Sequence, residues 1–183
     1  MTAQKINKGN LLIANPQSNC DDVFMQSVVL VTDHNSKGSV GFILNKSLNY
    51  TIKDVLPEIN SNFKIYMGGP VEPDNLYFLH NIPNLIENSV KICDNIYWGG
   101  NFSSIQDLLN ENVIGQKDIM FFLGYSCWSS NQLEDEIEEN QWYIDQNKIP
   151  VLNSVNNDWK SRIVKQNPDF AIWINAPKNP SFN

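Results

Sequence analysis

The sequence predicts an α+β domain built on a mixed, largely antiparallel sheet with three or four helices. Three observations lead there. Many short apolar runs are joined by connections of hairpin length, as where Ser27–Thr32 and Ser39–Leu44 flank the polar loop Asp33–Gly38. Three or four stretches place apolar residues at helical spacing behind a capping residue. Strict strand–helix alternation, the mark of a doubly wound nucleotide fold, is absent. At 183 residues, with 42% hydrophobic and 11% aromatic content, the chain is long enough to bury a real core. No repeat or linker divides it, so we expect one domain over 1–183, with loose termini at 1–8 and 177–183.

Taken in order, Asn10–Ala14 reads as a short buried strand closed by Asn15-Pro16. Asp21–Phe24 reads as a turn or a short helical turn. Ser27–Thr32, β-branched and apolar, is the strongest early strand, and Ser39–Leu44 is its hairpin partner. Thr51 caps a short helix with Asp54 as reciprocal partner; Ile52, Val55 and Leu56 form its apolar face and Pro57 limits it. Phe63–Met67 is a strand that runs into a tight turn at Gly68-Gly69-Pro70. Leu76–Leu79 is another, with His80 at its end. Val90–Trp98 alternates loosely up to Gly99-Gly100. Ser103 starts a helix with Gln106 as its box partner; Ile105, Leu108 and Leu109 are its buried stripe, and Gly115 lies beyond its end.

Ile119–Leu123 is apolar throughout, as in a strand covered on both faces. It breaks at Gly124 and continues through an aromatic loop, Tyr125-Ser126-Cys127-Trp128. A helix then opens with Asn131 as N-cap and Glu134 as its reciprocal partner, acidic side chains in its first turns, and Leu133 and Ile137 on one docking face. Trp142–Ile144 reads as one more strand. Asn157 caps a C-terminal helix bearing Trp159, Ile163 and Val164, which Pro168 ends. Ala171–Ile174 is a last strand or a packed tail.

Charge narrows the partners. The net charge of −7 and pI of about 4.7 supply no phosphate neutralisation, and the 13 Lys and Arg residues do not cluster. No direct nucleic-acid partner is expected, and an anionic membrane surface is disfavoured for the same reason. No apolar run reaches the length of a bilayer span, and MTAQKINKGN lacks the apolar core of a signal peptide. Cys20, Cys93 and Cys127 are an odd number without CxxC spacing, which fits reduced thiols in a cytoplasm.

Several stretches, in order, resemble the bacterial AlgH/YqgE proteins: Gly9–Ala14; Phe24–Val31 followed by His34; Gly41–Lys46; Gly68-Gly69-Pro70-Val71 with Leu79-His80 beyond it; and Gly124–Trp128 followed by Gln132-Leu133-Glu134, Glu136 and Trp142. The resemblance runs from about Gly9 to Trp159. It departs from the family pattern at Cys127 and Asn131, where glycine is usual. Asparagine tolerates a positive φ, so Asn131 is the milder change. A position that commonly lacks a thiol also makes Cys127 an unlikely nucleophile. The resemblance implies a cytoplasmic α+β protein whose sheet partly closes into a small barrel. It implies no established enzymatic activity, and a role in regulating transcription is named for some members.

The candidate site combines His80, Tyr125, Trp128, Gln132 and Glu134 with the turn Gly68-Gly69-Pro70, on the expectation that these share one surface. A strand-end histidine bonded to backbone and aromatics used for packing are the simpler readings of the same residues. His34, in a polar loop, reads most simply as solvent-exposed. Two distant histidines give no zinc set, and neither a GxGxxG nor a Walker pattern is present, so no metal and no cofactor are expected. The reading that follows is a non-catalytic binding or regulatory protein acting on a protein or small-molecule partner. The alternative is a hydrolase using His80 with a nearby carboxylate such as Glu134, which requires the two to converge in a pocket.

Overall fold

The computed structural model describes residues 5–18, 20–145, 152 and 158–175. Its elements are β1 (Leu11–Ala14), β2 (Val28–Asn35), β3 (Gly38–Ile43), β4 (Ser47–Thr51), α1 (Ile52–Val55), β5 (Lys64–Met67), β6 (Val71–His80), β7 (Val90–Cys93), β8 (Ile96–Trp98), α2 (Phe102–Asn110), β9 (Ile119–Ser129), α3 (Gln132–Glu138), β10 (Trp142–Asp145) and α4 (Asp158–Gln166). Short 3-10 segments cover Asp22–Phe24 and Pro168–Asn175.

The strands form one 10-stranded sheet in the order β10-β1-β2-β3-β9-β6-β8-β7, with the β4–β5 pair attached to β9. Every pairing is antiparallel except β5 with β9. The α+β class and the largely antiparallel sheet are as expected. The barrel is not: β10 and β7 stand at opposite ends of the order, and no pairing among the described residues joins them. Closure needs an edge-to-edge ladder, and this sheet stays open.

β9 is the central strand. Its first half, Ile119–Leu123, lies between β6 and the parallel β5, and its second half, Ser126–Ser129, pairs with β3. The expected aromatic loop at Tyr125–Trp128 is therefore strand. Gly124, at φ +69°, bends the chain without ending it.

Gly68 and Gly69 cross β9 at that bend. A Cβ on Gly68 would sit 2.1 Å from the Gly124 carbonyl oxygen, and one on Gly69 would sit 2.3 Å from the Tyr125 carbonyl. The Gly68 N–H donates to the Leu123 carbonyl, and its own carbonyl accepts from the Ile43 N–H and, at 3.0 Å, from the Ser126 hydroxyl.

Helices cover the sheet on separate cores. α2 places Ile105 and Leu109 against Phe78, Ile119 and Phe121. α4 packs Trp159 and Ile163 with Leu11, Leu30 and Phe122, and the Trp159 indole donates to the Ala14 carbonyl at 2.8 Å. Arg162 and Asp145 form a buried ion pair at 2.5 Å. The Thr51–Asp54 box forms as expected, with the Asp54 carboxylate accepting from the Thr51 N–H and hydroxyl, each at 2.7 Å. At α2 the cap is Asn101, whose side chain accepts from the Ser103 N–H at 3.0 Å, and not Ser103 itself. Val90–Trp98 splits into a hairpin turning at Asn95, φ 61°. Ala171–Ile174 lies in the final 3-10 segment, and Asn157 lies outside the described residues. No helix among the described residues is long and apolar enough to cross a membrane.

Two glycines separate steric from torsional demand. Gly99 adopts φ +65° with nothing within 4 Å of its missing Cβ. Gly99→Ala should cost about 1 kcal/mol, the left-handed penalty alone. Gly68→Ala must displace backbone and should cost about 3 kcal/mol or more. Urea unfolding midpoints of the two variants measure the difference.

Candidate functional site

The signature helix starts differently from its expected box. Asn131 adopts φ 63° and ψ −8°, the left-handed conformation that asparagine tolerates, and its side chain caps nothing. Gln132 supplies the closure instead, its carbonyl oxygen accepting from the Ser129 N–H and hydroxyl at 3.0 and 3.1 Å.

The polar residues of the signature converge on Glu136. Its Oε2 accepts both indole N–H groups, from Trp128 at 2.8 Å and from Trp142 at 2.7 Å, while its Oε1 accepts the Gln132 amide at 3.0 Å. Trp128 and Trp142 meet edge to face at 6.1 Å, and Phe24 packs on both. Trp128 is 2% exposed, so it is a core residue and not a surface anchor. This network ties β9, α3 and β10 together.

Glu134 turns to a different partner from the one expected. Its Oε1 lies 3.7 Å from His34 Nε2, and His34 Nδ1 bonds the Ser39 hydroxyl at 2.9 Å. His34 is not in a free loop but on the β2 end of the hairpin, paired with Ser39 of β3. A serine, a histidine and a glutamate in sequence invite a nucleophilic reading. The Ser39 hydroxyl, however, sits in a residue 3% exposed, where no substrate reaches it.

His80 lies at the other end of β9, paired with Ile119. Ten strand positions separate Ile119 from Ser129, the residue before α3, a span of roughly 30 Å. His80 and Glu134 therefore do not converge, and the hydrolase pairing fails on geometry. His80 is wholly buried. Its Nδ1 accepts from the Ile82 N–H at 3.3 Å and its Nε2 bonds the Gly99 carbonyl at 3.1 Å, which only the neutral tautomer with Nε2–H can satisfy. Burial holds its pKa below the ordinary histidine value, partly opposed by the Gly99 bond.

Tyr125 stands beside Tyr77, ring edge to ring face at 5.5 Å. Tyr77 donates to Glu72 Oε2, which also accepts from Asn75 at 2.8 Å. The Tyr77 bond holds the Glu72 carboxyl below its ordinary range and raises the Tyr77 phenol; burial raises Tyr125, with the Glu72 charge adding to it. Glu72 has φ +48°, inside a bulge where the β6 register shifts between Val71 and Leu76.

That bulge forms one wall of a cleft of about 480 Å³. Leu48, Met67 and Leu123 line it from β4, β5 and β9; Tyr50 and Val55 line it from β4 and α1; Gly69, Pro70 and Pro73 line it from the turn and the bulge, with the carboxylates Asp54 and Asp74 also on its lining. Of the sequence candidates, only Gly69 and Pro70 line this space. Trp128, Gln132 and Glu134 group around α3, Tyr125 joins the Glu72 cluster, Gly68 is a backbone crossing, and His80 is sealed at the far end of the sheet. The β4–α1 wall was missed as part of a site, although α1 itself was expected. The sequence signal of the facing wall is Pro73 in β6, since proline inside a strand marks a bulge or an edge.

The comparisons agree with this architecture. The AlgH-like family pattern matches residues 11–171. The chain belongs to the AlgH-like family. A UPF0301 protein of Cytophaga hutchinsonii is 36% identical over 182 residues, covering 97% of this chain and 100% of the relative. One from Parabacteroides distasonis is 35% identical over 182 residues, covering 96% and 91%. Among solved structures, the AlgH protein from Pseudomonas aeruginosa matches with a TM-score of 0.67 at 22% identity, covering 93% of this chain and 94% of that one. A Corynebacterium diphtheriae protein matches with a TM-score of 0.75 at 18% identity, covering 96% and 95%. At those identities the two structures speak for the AlgH-like fold alone.

In this AlgH-like chain, Glu136→Ala leaves two nearly buried indoles without their acceptor and should cost about 2–4 kcal/mol in urea unfolding, while Glu136→Gln, which keeps an oxygen there, should recover most of it. His80 predicts a pH effect. Its folded pKa lies below the unfolded value of 6.5, so the unfolded chain binds the extra proton. The contribution is complete above pH 6.5 and is lost as pH falls from there through the folded pKa. Melting temperature measured from pH 7.5 down to 5 should fall more steeply in the wild type than in His80→Gln.

Proposed function

We propose that this protein is a non-catalytic binding protein whose recognition site is the cleft at Gly69-Pro70. The observation that carries the reading is the cleft itself, about 480 Å³ and walled by a strained bulge. That volume is in the range of small-ligand sites, and bulges gather beside functional sites. The fate of the polar signature residues supports the same reading. Glu136, Gln132, Trp128 and His80 are engaged in bonds that hold the fold. A catalytic role for His80 finds no support in its burial.

On this reading a regulatory role runs through this cleft and a protein or small-molecule partner. The net charge of −7 argues against contact with nucleic acid. The three cysteines, an odd number without CxxC spacing, suit a reducing cytoplasm.

The test is a fragment screen by NMR on the labelled chain. Hits should shift the amides of Leu48, Met67 and Leu123 in the wild type. Those shifts should vanish in Val55→Trp, a variant that fills the cleft, with the rest of the spectrum preserved. Hits that cluster elsewhere and ignore Val55→Trp would overturn the assignment.

A further inference from the structure

The occupant of the cleft can be narrowed from its chemistry, and the narrowing rests on the binding reading above. Leu48, Met67 and Leu123 contribute apolar surface from three neighbouring strands, and the charged groups on the lining, Asp54 and Asp74, are both acidic. Asp54 is held ionised: the Thr51 N–H and hydroxyl both donate to its Oδ2, and these bonds lower its pKa. Lys53, the cation on the same helix, bonds the Asn60 side chain at 3.2 Å, and its charge adds only the smallest part of the lowering at Asp54. Asp74 is exposed on a bulge pinned through Glu72, Asn75 and Tyr77. Tyr50 is 53% exposed, a large ring standing in water at the same place.

The cleft also adjoins a strand edge. β4 pairs with β5 on one side only among the described residues, and its register with β5 shifts between Ser47 and Thr51. A free edge beside an apolar groove is where an extended peptide docks, its backbone on the edge and alternate side chains in the groove.

We propose that the cleft binds an extended segment of a partner protein, in which a bulky apolar side chain is flanked by Lys or Arg. The segment lies along β4. Its apolar side chain covers Leu48, Met67 and Leu123 and stacks on Tyr50, and its cation reaches Asp54 and Asp74.

Capped hexapeptides with a central Leu-Phe flanked by Lys and Arg, by Gln or by Glu distinguish the outcomes when titrated into the labelled full chain. The basic peptide should shift the Leu48, Tyr50, Met67 and Leu123 amides, bind more weakly as salt rises, and exceed the Glu peptide in affinity roughly threefold to tenfold. Asp74→Lys should reverse that order. Its exposed site makes loss of the fold an inapplicable explanation, and the unchanged remainder of the spectrum verifies this. Equal binding of the three peptides in the cleft would overturn the charge assignment and leave the binding reading standing. Organic fragments that shift these amides while no peptide does would overturn the peptide assignment alone. If neither peptides nor fragments touch the cleft, both readings fall.

Discussion

Two main-chain segments touch at the centre of this fold with no side chain between them. Gly68 and Gly69 pass across β9 at Gly124, and a methyl group on any of the three would meet backbone at 2.6 Å or less. The contact matters because β9 serves two sets of neighbours. Its first half holds β5 and β6, its second half holds β3, and the bend at Gly124 hands it from one to the other. Without that crossing, the turn at Pro70 could not approach β9, and the cleft would lose the wall that the turn provides. Glycine is required here by close approach, a stronger demand than conformational freedom alone.

Glu136 plays the corresponding part for the outer half of the sheet. A buried indole must find an acceptor, and here two indoles from β9 and β10 find the same carboxylate on α3. The charge is tolerable in a half-buried position because three donors surround it. One side chain thus fixes the angle at which α3 sits between two strands. The polar character of the signature, which reads as a binding surface in the sequence, is largely the chemistry of that joint.

The buried strands and the amphipathic helices were legible because burial leaves a pattern: Val28–Val31 and Ile119–Phe122 are apolar throughout because they are covered on both faces, while the exposed strand β4 leaves none and was not read. Strand-to-strand pairing was not legible. Nothing local tells Tyr125–Ser129 that β3 will accept it as a ladder partner, so aromatic and polar residues after a glycine read as a loop. Long-range pairs failed for the same reason. Glu134 meets His34, 100 positions earlier, only because α3 is carried back over the β2–β3 hairpin. At Asn131 the tolerance of positive φ was readable, being intrinsic to the residue, while the capping box expected with Glu134 does not form. The cleft was half readable: the turn that walls it has a pattern, while Leu48, Tyr50 and Val55 look like ordinary edge and helix residues.

The bulge in β6 is the feature that the core does not explain. Residues 72–75 are exposed, so hydrophobic burial gains nothing from their shape. Glu72 nevertheless holds φ +48°, a conformation that costs a residue of its kind about 1 kcal/mol. It is kept there by the Tyr77 phenol and the Asn75 amide, two donors on one carboxylate oxygen. What that arrangement achieves is placement: Pro73, a residue with one fixed torsion, and Asp74 stand rigidly over the space between β4 and β9. For the binding proposed at this cleft, a wall ordered in advance would spare the entropy of ordering it. Strain maintained at an exposed position, stabilised locally and aimed at a cleft, is better accounted for by recognition than by folding.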